Sequence, residues 1–332
     1  MSEDLLHGGS LDRMRVAFPD SPEPWMDLST GINPWPYPAK PASANALRHL
    51  PTREAYTECR ATMAKAFGAS AESILLAPGS ELLIRMLPKI ISPGKIVVLA
   101  PSYGDHRHVW TVSPASVTES TDPLAHSDTA DAIVVCNPNN PDGRVFSKDE
   151  LETARAKLAK RGGWLIIDEA YADLTPELSL ASNGGAAGLI VLRSFGKFFG
   201  LAGVRLGAVI APSDILKPLD QLLGVWPVSG SALEIGTAAY ADTDWQTSTR
   251  RRLAERRDRL DQVLTAHGLA PVQGTDLFRY IACRDAHTLW QRLAQQGVYI
   301  RRFAWSDTHL RIGLPQSDTD EARLAAALSL SV

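Results

Sequence analysis

Residues 188–212 read GLIVLRSFGKFFGLAGVRLGAVIAP, two short apolar runs on either side of a glycine-broken turn. Each run is too short for a helix and too evenly apolar for a strand with one face in water, so each reads as a strand covered on both faces. The turn between them carries Lys197 and, eight residues later, Arg205. A lysine in such a place is either a solvated surface charge or an amine positioned for chemistry.

The same punctuation recurs along the chain. SILLAPG from Ser73, KIVVLAP from Lys95, DAIVVCNP from Asp131 and GWLIIDEAY from Gly163 are further β-branched runs that end in loops of Pro, Gly, Ser and Asn. Amphipathic stretches such as SKDELETARAKLAKR (147–161) separate them and read as helical crossovers. The alternation predicts an α/β fold with a mostly parallel central sheet, helices on both faces, and chemistry just beyond the carboxyl ends of the strands. After about Pro227 the pattern changes. A long arginine-rich helical stretch over roughly 236–267 is followed by strand-like FRYIACR, VYIRRF and HLRIGLP and a closing helix in DTDEARLAAALSL. With the proline-rich PWPYPAKP near the start, this predicts a large domain over 45–225 and a smaller α+β domain built from both chain ends, 1–44 and 226–332.

The 332 residues are 45% hydrophobic and 21% charged, with a formal net charge of -3, an ordinary globular balance. The arginines at 250–252, 256, 257 and 259 read as a solvated helix face, so no nucleic-acid footprint is expected. No stretch approaches eighteen uninterrupted apolar residues, and MSEDLLHGGS at the start lacks a basic segment followed by an apolar one. No membrane span or export signal is therefore expected, and the chain is placed in the cytoplasm. Cys59, Cys136 and Cys283 are odd in number and widely spaced, which fits reduced thiols better than disulfides or a zinc site, and no metal is expected.

The strand ends are unusually specific: NPNNPDG (Asn137 to Gly143), DEAY (Asp168 to Tyr171) and SFGK (Ser194 to Lys197). APGSELL opens a helix at Gly79 and Ser80, and PSYGD holds Tyr103. In order and spacing these motifs resemble the pyridoxal phosphate enzymes of the aspartate aminotransferase fold, over nearly the whole chain, which implies that fold (type I) and pyridoxal 5'-phosphate as cofactor. The resemblance implies Lys197 as the amine that joins the cofactor's aldehyde and later moves protons at the substrate carbon. It implies that Asp168 keeps the pyridine nitrogen protonated, that Asn140 and Tyr171 hydrogen-bond the ring's phenolic oxygen, and that Tyr103 stacks on the ring. Gly79, Ser80 and Glu81 at a helix start, with Ser194 and Arg205, are implied around the cofactor phosphate. Arg311, in HLRIGLP, matches the family arginine that forks onto the substrate α-carboxylate.

One fold supports many reactions, so the reaction needs its own signal. HGGS (His7 to Ser10), followed by DLSTGINPWPYP (Asp27 to Pro38), resembles the threonine-phosphate decarboxylases of cobalamin biosynthesis within that family. This implies decarboxylation of L-threonine O-3-phosphate, with the substrate phosphate held by Arg301 and by His7, the latter from the partner subunit. Gly31 and Asn33 fall in the implied substrate loop, and a homodimer with active sites at its interface is implied too. The alternatives are a histidinol-phosphate-like aminotransferase and a pyridoxal-phosphate-binding protein without catalysis. Four positions depart from the family pattern. Leu50 stands where a tyrosine reaches the partner's cofactor phosphate, so that contact is either missing or supplied by Tyr56, and Gly31 stands where asparagine is common. Gly196 replaces the serine or threonine before the lysine, and Asp142 the threonine of NNPTG.

Overall fold

The computed structural model describes residues 8–269 and 272–330, and the chain divides into two units. In chain order the strands are β1 (Met26–Leu28), β2 (Ile74–Ala77), β3 (Lys95–Leu99), β4 (Ser116–Ser120), β5 (Ala132–Cys136), β6 (Trp164–Asp168), β7 (Leu189–Ser194), β8 (Gly207–Ile210), β9 (Val272–Thr275), β10 (Phe278–Ala282), β11 (Val298–Arg302) and β12 (His309–Gly313).

The larger unit, 37–140 and 144–245, holds a seven-stranded sheet in the order β2-β8-β7-β6-β5-β3-β4. β4, β3, β5, β6 and β7 run parallel, while β8 is antiparallel to both β7 and β2. The mostly parallel sheet expected from the runs is present. Its central strands are buried apart from one end residue on β6 and one on β7, which is why they show no polar alternation. The helix Lys148–Ala159 makes the crossover from β5 to β6 and starts on a capping box between Ser147 and Glu150. An antiparallel step needs no crossover helix, so the connection from β7 to β8 is left free as an irregular loop carrying Lys197 and Arg205.

The smaller unit, 1–36, 141–143 and 246–332, holds a five-stranded sheet in the order β1-β11-β12-β10-β9. β1 pairs parallel with β11, and the remaining pairs are antiparallel. The division falls at 37 and 246 rather than at 45 and 226, because the helix Gly230–Ala241 packs on the helix Arg53–Phe67 of the larger unit. The single helical stretch read over 236–267 is two helices, Gly230–Ala241 and Thr243–Ala266. They part at Asp242, whose carboxylate accepts the Trp245 amide at 3.0 Å. Among the described residues no helix is long and apolar enough to cross a membrane.

The turn Pro141–Gly143 ends in a glycine with φ +74, and a Cβ there would sit 2.1 Å from the Gly274 carbonyl oxygen. Gly143→Ala is therefore expected to lower the unfolding free energy by about 1–3 kcal/mol from the backbone strain alone. Chemical denaturation of the variant beside the parent checks this, and an unchanged midpoint would contradict it.

Candidate active site

Three strand ends of the larger unit are level. Cys136 on β5 registers with Asp168 on β6, and Asp168 with Leu192 on β7. The segments that carry Asn140, Tyr171 and Lys197 all leave from this edge, as expected for a parallel sheet.

Asp168 is buried, and a buried carboxylate needs partners. Its Oδ1 accepts the Ala170 amide at 3.0 Å, and its Oδ2 lies 2.9 Å from His106 Nε2 and 4.0 Å from Cys136 Sγ. Burial by itself lowers the His106 imidazole, but Cys136 and Asp168 outweigh it and raise the group to about 10. The two neighbours thus favour the cationic imidazole at neutral pH. His106 escaped the sequence reading. Its signal was its place three residues after Tyr103, one helical turn on, with the two rings edge to face at 6.0 Å.

The Tyr103 hydroxyl donates to Glu81 Oε2 at 3.0 Å, and Glu81 Oε1 takes Arg85 Nε at 2.7 Å. Burial, with the Glu81 and Asp105 carboxylates nearby, pushes the Tyr103 phenol far above its usual range, so it stays a donor. The Glu81 side chain therefore orients Tyr103, while its backbone amide lies at the helix start.

That helix, Ser80–Ile90, begins after Gly79 at φ +91, and its first amides have no partner within the helix. A Cβ on Gly79 would meet Arg205 Nη2 at 2.7 Å, and one on Gly207 would meet the Ser80 nitrogen at 2.7 Å. Glycine at both positions lets the guanidinium and β8 close on the helix start. Arg205 is the one non-glycine residue with positive φ among those described, at 55, and Ser194 registers with Gly207. Gly79, Ser80, Ser194 and Arg205 are thus brought together.

Lys197 is half-buried in a turn anchored by Phe195, Phe198 and Phe199, all fully buried, with Phe195 stacked on Phe199 at 4.6 Å. A Cβ on Gly196 would meet Ala202 Cα at 2.8 Å, so this turn has no room for the serine or threonine common before the lysine. Tyr171 is buried and Asn140 half-buried at the neighbouring loops. Leu50 is 62% exposed. The Tyr56 hydroxyl donates to the Val228 carbonyl at 2.8 Å and accepts the Val228 amide at 2.9 Å.

In the smaller unit, Arg311 on β12 registers with Arg301 on β11 and with Tyr280 on β10, so the three form one row across the sheet. Arg311 is buried, with Nη2 donating to the Ser29 carbonyl at 2.8 Å and its guanidinium 5.0 Å over the Phe278 ring. Arg301 is half-exposed, 5.4 Å over Phe303. Buried Asn33 accepts the Trp35 amide on its Oδ1 at 2.8 Å and so shapes its own loop, next to buried Gly31. His7 lies outside the described residues. The glycines after it fit against Ser29: the Gly9 amide donates to Ser29 Oγ at 2.8 Å, and a Cβ on Gly8 would sit 2.5 Å from the Ser29 carbonyl oxygen.

Residues 24–328 match the aminotransferase class I and II family, and the chain belongs to that family. It is 39% identical over 326 residues to threonine-phosphate decarboxylase of Pseudomonas aeruginosa, covering 98% of this chain and 97% of that one. It is 36% identical over 332 residues to a Sinorhizobium sp. protein of the same name, covering 99% of each. The crystal structure of histidinol-phosphate aminotransferase from Sinorhizobium meliloti in complex with pyridoxal-5'-phosphate shares the fold, with a TM-score of 0.81 at 19% identity over 96% of this chain and 93% of that one. The larger unit's residues fit that cofactor: a buried carboxylate for a pyridinium, an amine, and helix-start amides beside an arginine for a phosphate.

The raised His106 has a measurable consequence. Its ordinary value is 6.5 and its folded value about 10, so its contribution to stability is complete below about pH 6.5 and is lost as pH rises towards 10. Denaturant unfolding of the cofactor-free chain is expected to show stability falling across that window. The fall should be shallower in His106→Asn, and parallel profiles for the two proteins would contradict the pairing.

Proposed function

We propose that the chain is a pyridoxal-phosphate-dependent lyase that releases carbon dioxide from L-threonine O-3-phosphate. The product is (R)-1-amino-2-propanol O-2-phosphate, used in cobalamin biosynthesis. The observation that carries this reading is full-length identity of 36% and 39% to two threonine-phosphate decarboxylases. The registered pair Arg301 and Arg311 supports it, since two guanidiniums on adjacent strands suit a substrate with two anionic groups.

Pyridoxal phosphate, when bound, supplies an electron sink for the bond that breaks at the substrate α-carbon. Asp168, paired with His106, would face the pyridine nitrogen of the bound cofactor and favour its protonated form. Ser80 and Glu81 amides, Ser194 and Arg205 would hold the cofactor phosphate. Tyr103 would cover the ring, and Asn140 and Tyr171 would hydrogen-bond its phenolic oxygen. Arg311 receives the α-carboxylate and Arg301 the substrate phosphate. Lys197 delivers the proton that replaces the carboxylate at the α-carbon as carbon dioxide leaves. His7, Gly31 and Asn33 complete the substrate loop in this reading. The chain works as a homodimer, supported by the exposed apolar side chains Leu47, Leu50, Val225 and Trp226 on the larger unit. Its free cysteines suit the reducing cytoplasm.

The purified, cofactor-loaded protein is expected to release carbon dioxide from L-threonine O-3-phosphate without any keto acid. Glutamate formation from added 2-oxoglutarate with little carbon dioxide would overturn the lyase in favour of an aminotransferase. Arg301→Ala is expected to raise KM for the phosphorylated substrate roughly 10- to 100-fold, the size of a lost charged hydrogen bond. It should leave KM for a dephosphorylated analogue nearly unchanged, and an equal effect on both would remove Arg301 from the phosphate site.

A further inference from the structure

Beneath the strand ends of the larger unit lies a buried group of ions to which the chemistry above gives no task. Arg193, the residue before Ser194, is 2% exposed, and Glu169, the residue after Asp168, is 0% exposed. Arg193 Nη1 donates to Glu169 Oε2 at 2.9 Å, and its Nη2 donates to Asp173 Oδ1. The guanidinium carbon sits 4.3 Å over the Phe67 ring. Glu169 is satisfied on its other oxygen by the Leu180 amide at 2.8 Å, and Ser179 Oγ donates to Oε2. The Tyr240 hydroxyl faces Asp173 and Arg193, and its ring lies 5.8 and 4.8 Å from Phe195 and Phe199, which flank Lys197 in sequence.

Stability is a weak explanation for such a group, because buried ion pairs replaced by apolar residues of similar volume often cost nothing. Position in the chain gives a better one. Successive strand residues face opposite sides of a sheet, so fixing Arg193 fixes the opposite aim of Ser194. Glu169 directly follows β6, with its amide donating to the Leu192 carbonyl at 2.9 Å, so fixing it ties down the end of the strand that carries Asp168. Asp173 lies two residues after Tyr171, so one guanidinium that grips both Glu169 and Asp173 closes the segment from which Tyr171 projects. Only a planar fork holds two carboxylates at once in this way, since lysine is a single point charge.

We propose that Arg193 is a positioning residue for the cofactor: its two-armed grip on Glu169 and Asp173 fixes the strand ends that aim Asp168, Tyr171 and Ser194. This rests on the reading of the site as a pyridoxal phosphate site. Arg193 touches none of the reacting atoms.

The test uses the full chain stripped of cofactor, as wild type, Arg193→Lys and Asp173→Asn. The pyridoxal phosphate dissociation constant is read from tryptophan quenching, beside the thermal midpoint of the cofactor-free protein. Arg193→Lys is expected to weaken cofactor binding at least about tenfold, the scale of one lost charged hydrogen bond. Asp173→Asn, which keeps the Glu169 arm, should weaken it by a smaller factor. A lower midpoint in Arg193→Lys with an unchanged dissociation constant would make this a purely structural ion pair and overturn the proposal. If Arg193→Lys does not fold, Asp173→Asn decides, and an unchanged constant there overturns it equally. Wild type that fails to bind pyridoxal phosphate would instead overturn the reading of the site, and this inference with it.

Discussion

The alignment of β5, β6 and β7 is the constraint on which the chemistry depends. Cys136, Asp168 and Leu192 are neighbours across three parallel strands, so every loop after them starts from one edge. Antiparallel β8 then returns without a crossover, which frees the segment after β7 to be irregular and to present Lys197 and Arg205. Shifting β6 by one residue against its neighbours would turn Asp168 to the face now occupied by Glu169, and the amine, carboxylate and phosphate cradle would no longer belong to one site.

Those two adjacent carboxylates set the electrostatics. Asp168 and Glu169 are consecutive and both buried, an arrangement that would be prohibitive if both relied on the same surroundings. Separate cations serve them. His106 pairs with Asp168 at 2.9 Å, and Arg193 pairs with Glu169 at 2.9 Å. The two cations differ in kind because the tasks differ. An imidazole titrates and so responds to what its carboxylate faces, whereas a guanidinium holds its charge and geometry at any working pH.

The sequence made the buried parts of the fold easy to read and the wet or short parts hard. β3, β5, β6, β7 and β8 announce themselves because strands covered on both faces are apolar throughout. β4, SVTES, is polar because it lies at the sheet edge, and β1 has three residues, too few for any period to show. The break at Asp242 was hidden because a capping aspartate between two helices looks like one more charge on a solvated face. At the site, side chains with a chemical signature in a motif were legible, from Lys197 to Arg205. Supporting residues were not. His106 reads as surface charge in GDHRHVW, and Arg193 as a strand residue in LIVLRSF, until the fold shows that each faces a buried carboxylate.

The smaller unit carries a fixed arginine and a freer one on a single sheet. Arg311 is buried, hydrogen-bonded to the Ser29 carbonyl and covered by Phe278, so its direction is settled before any ligand arrives. Arg301, one strand over in the same row, is half-exposed and lies over Phe303. The two guanidiniums thus differ in how far folding alone orders them. Ser29 joins this row to the start of the chain, because its hydroxyl accepts the Gly9 amide while its carbonyl takes Arg311. A side chain at residue 8 would strike that same carbonyl, which gives the paired glycines of HGGS a physical reason. Gly8 and Gly9 are therefore seated on the residue that also orients the Arg311 guanidinium, so one packing contact couples the start of the described chain to the direction of that arginine.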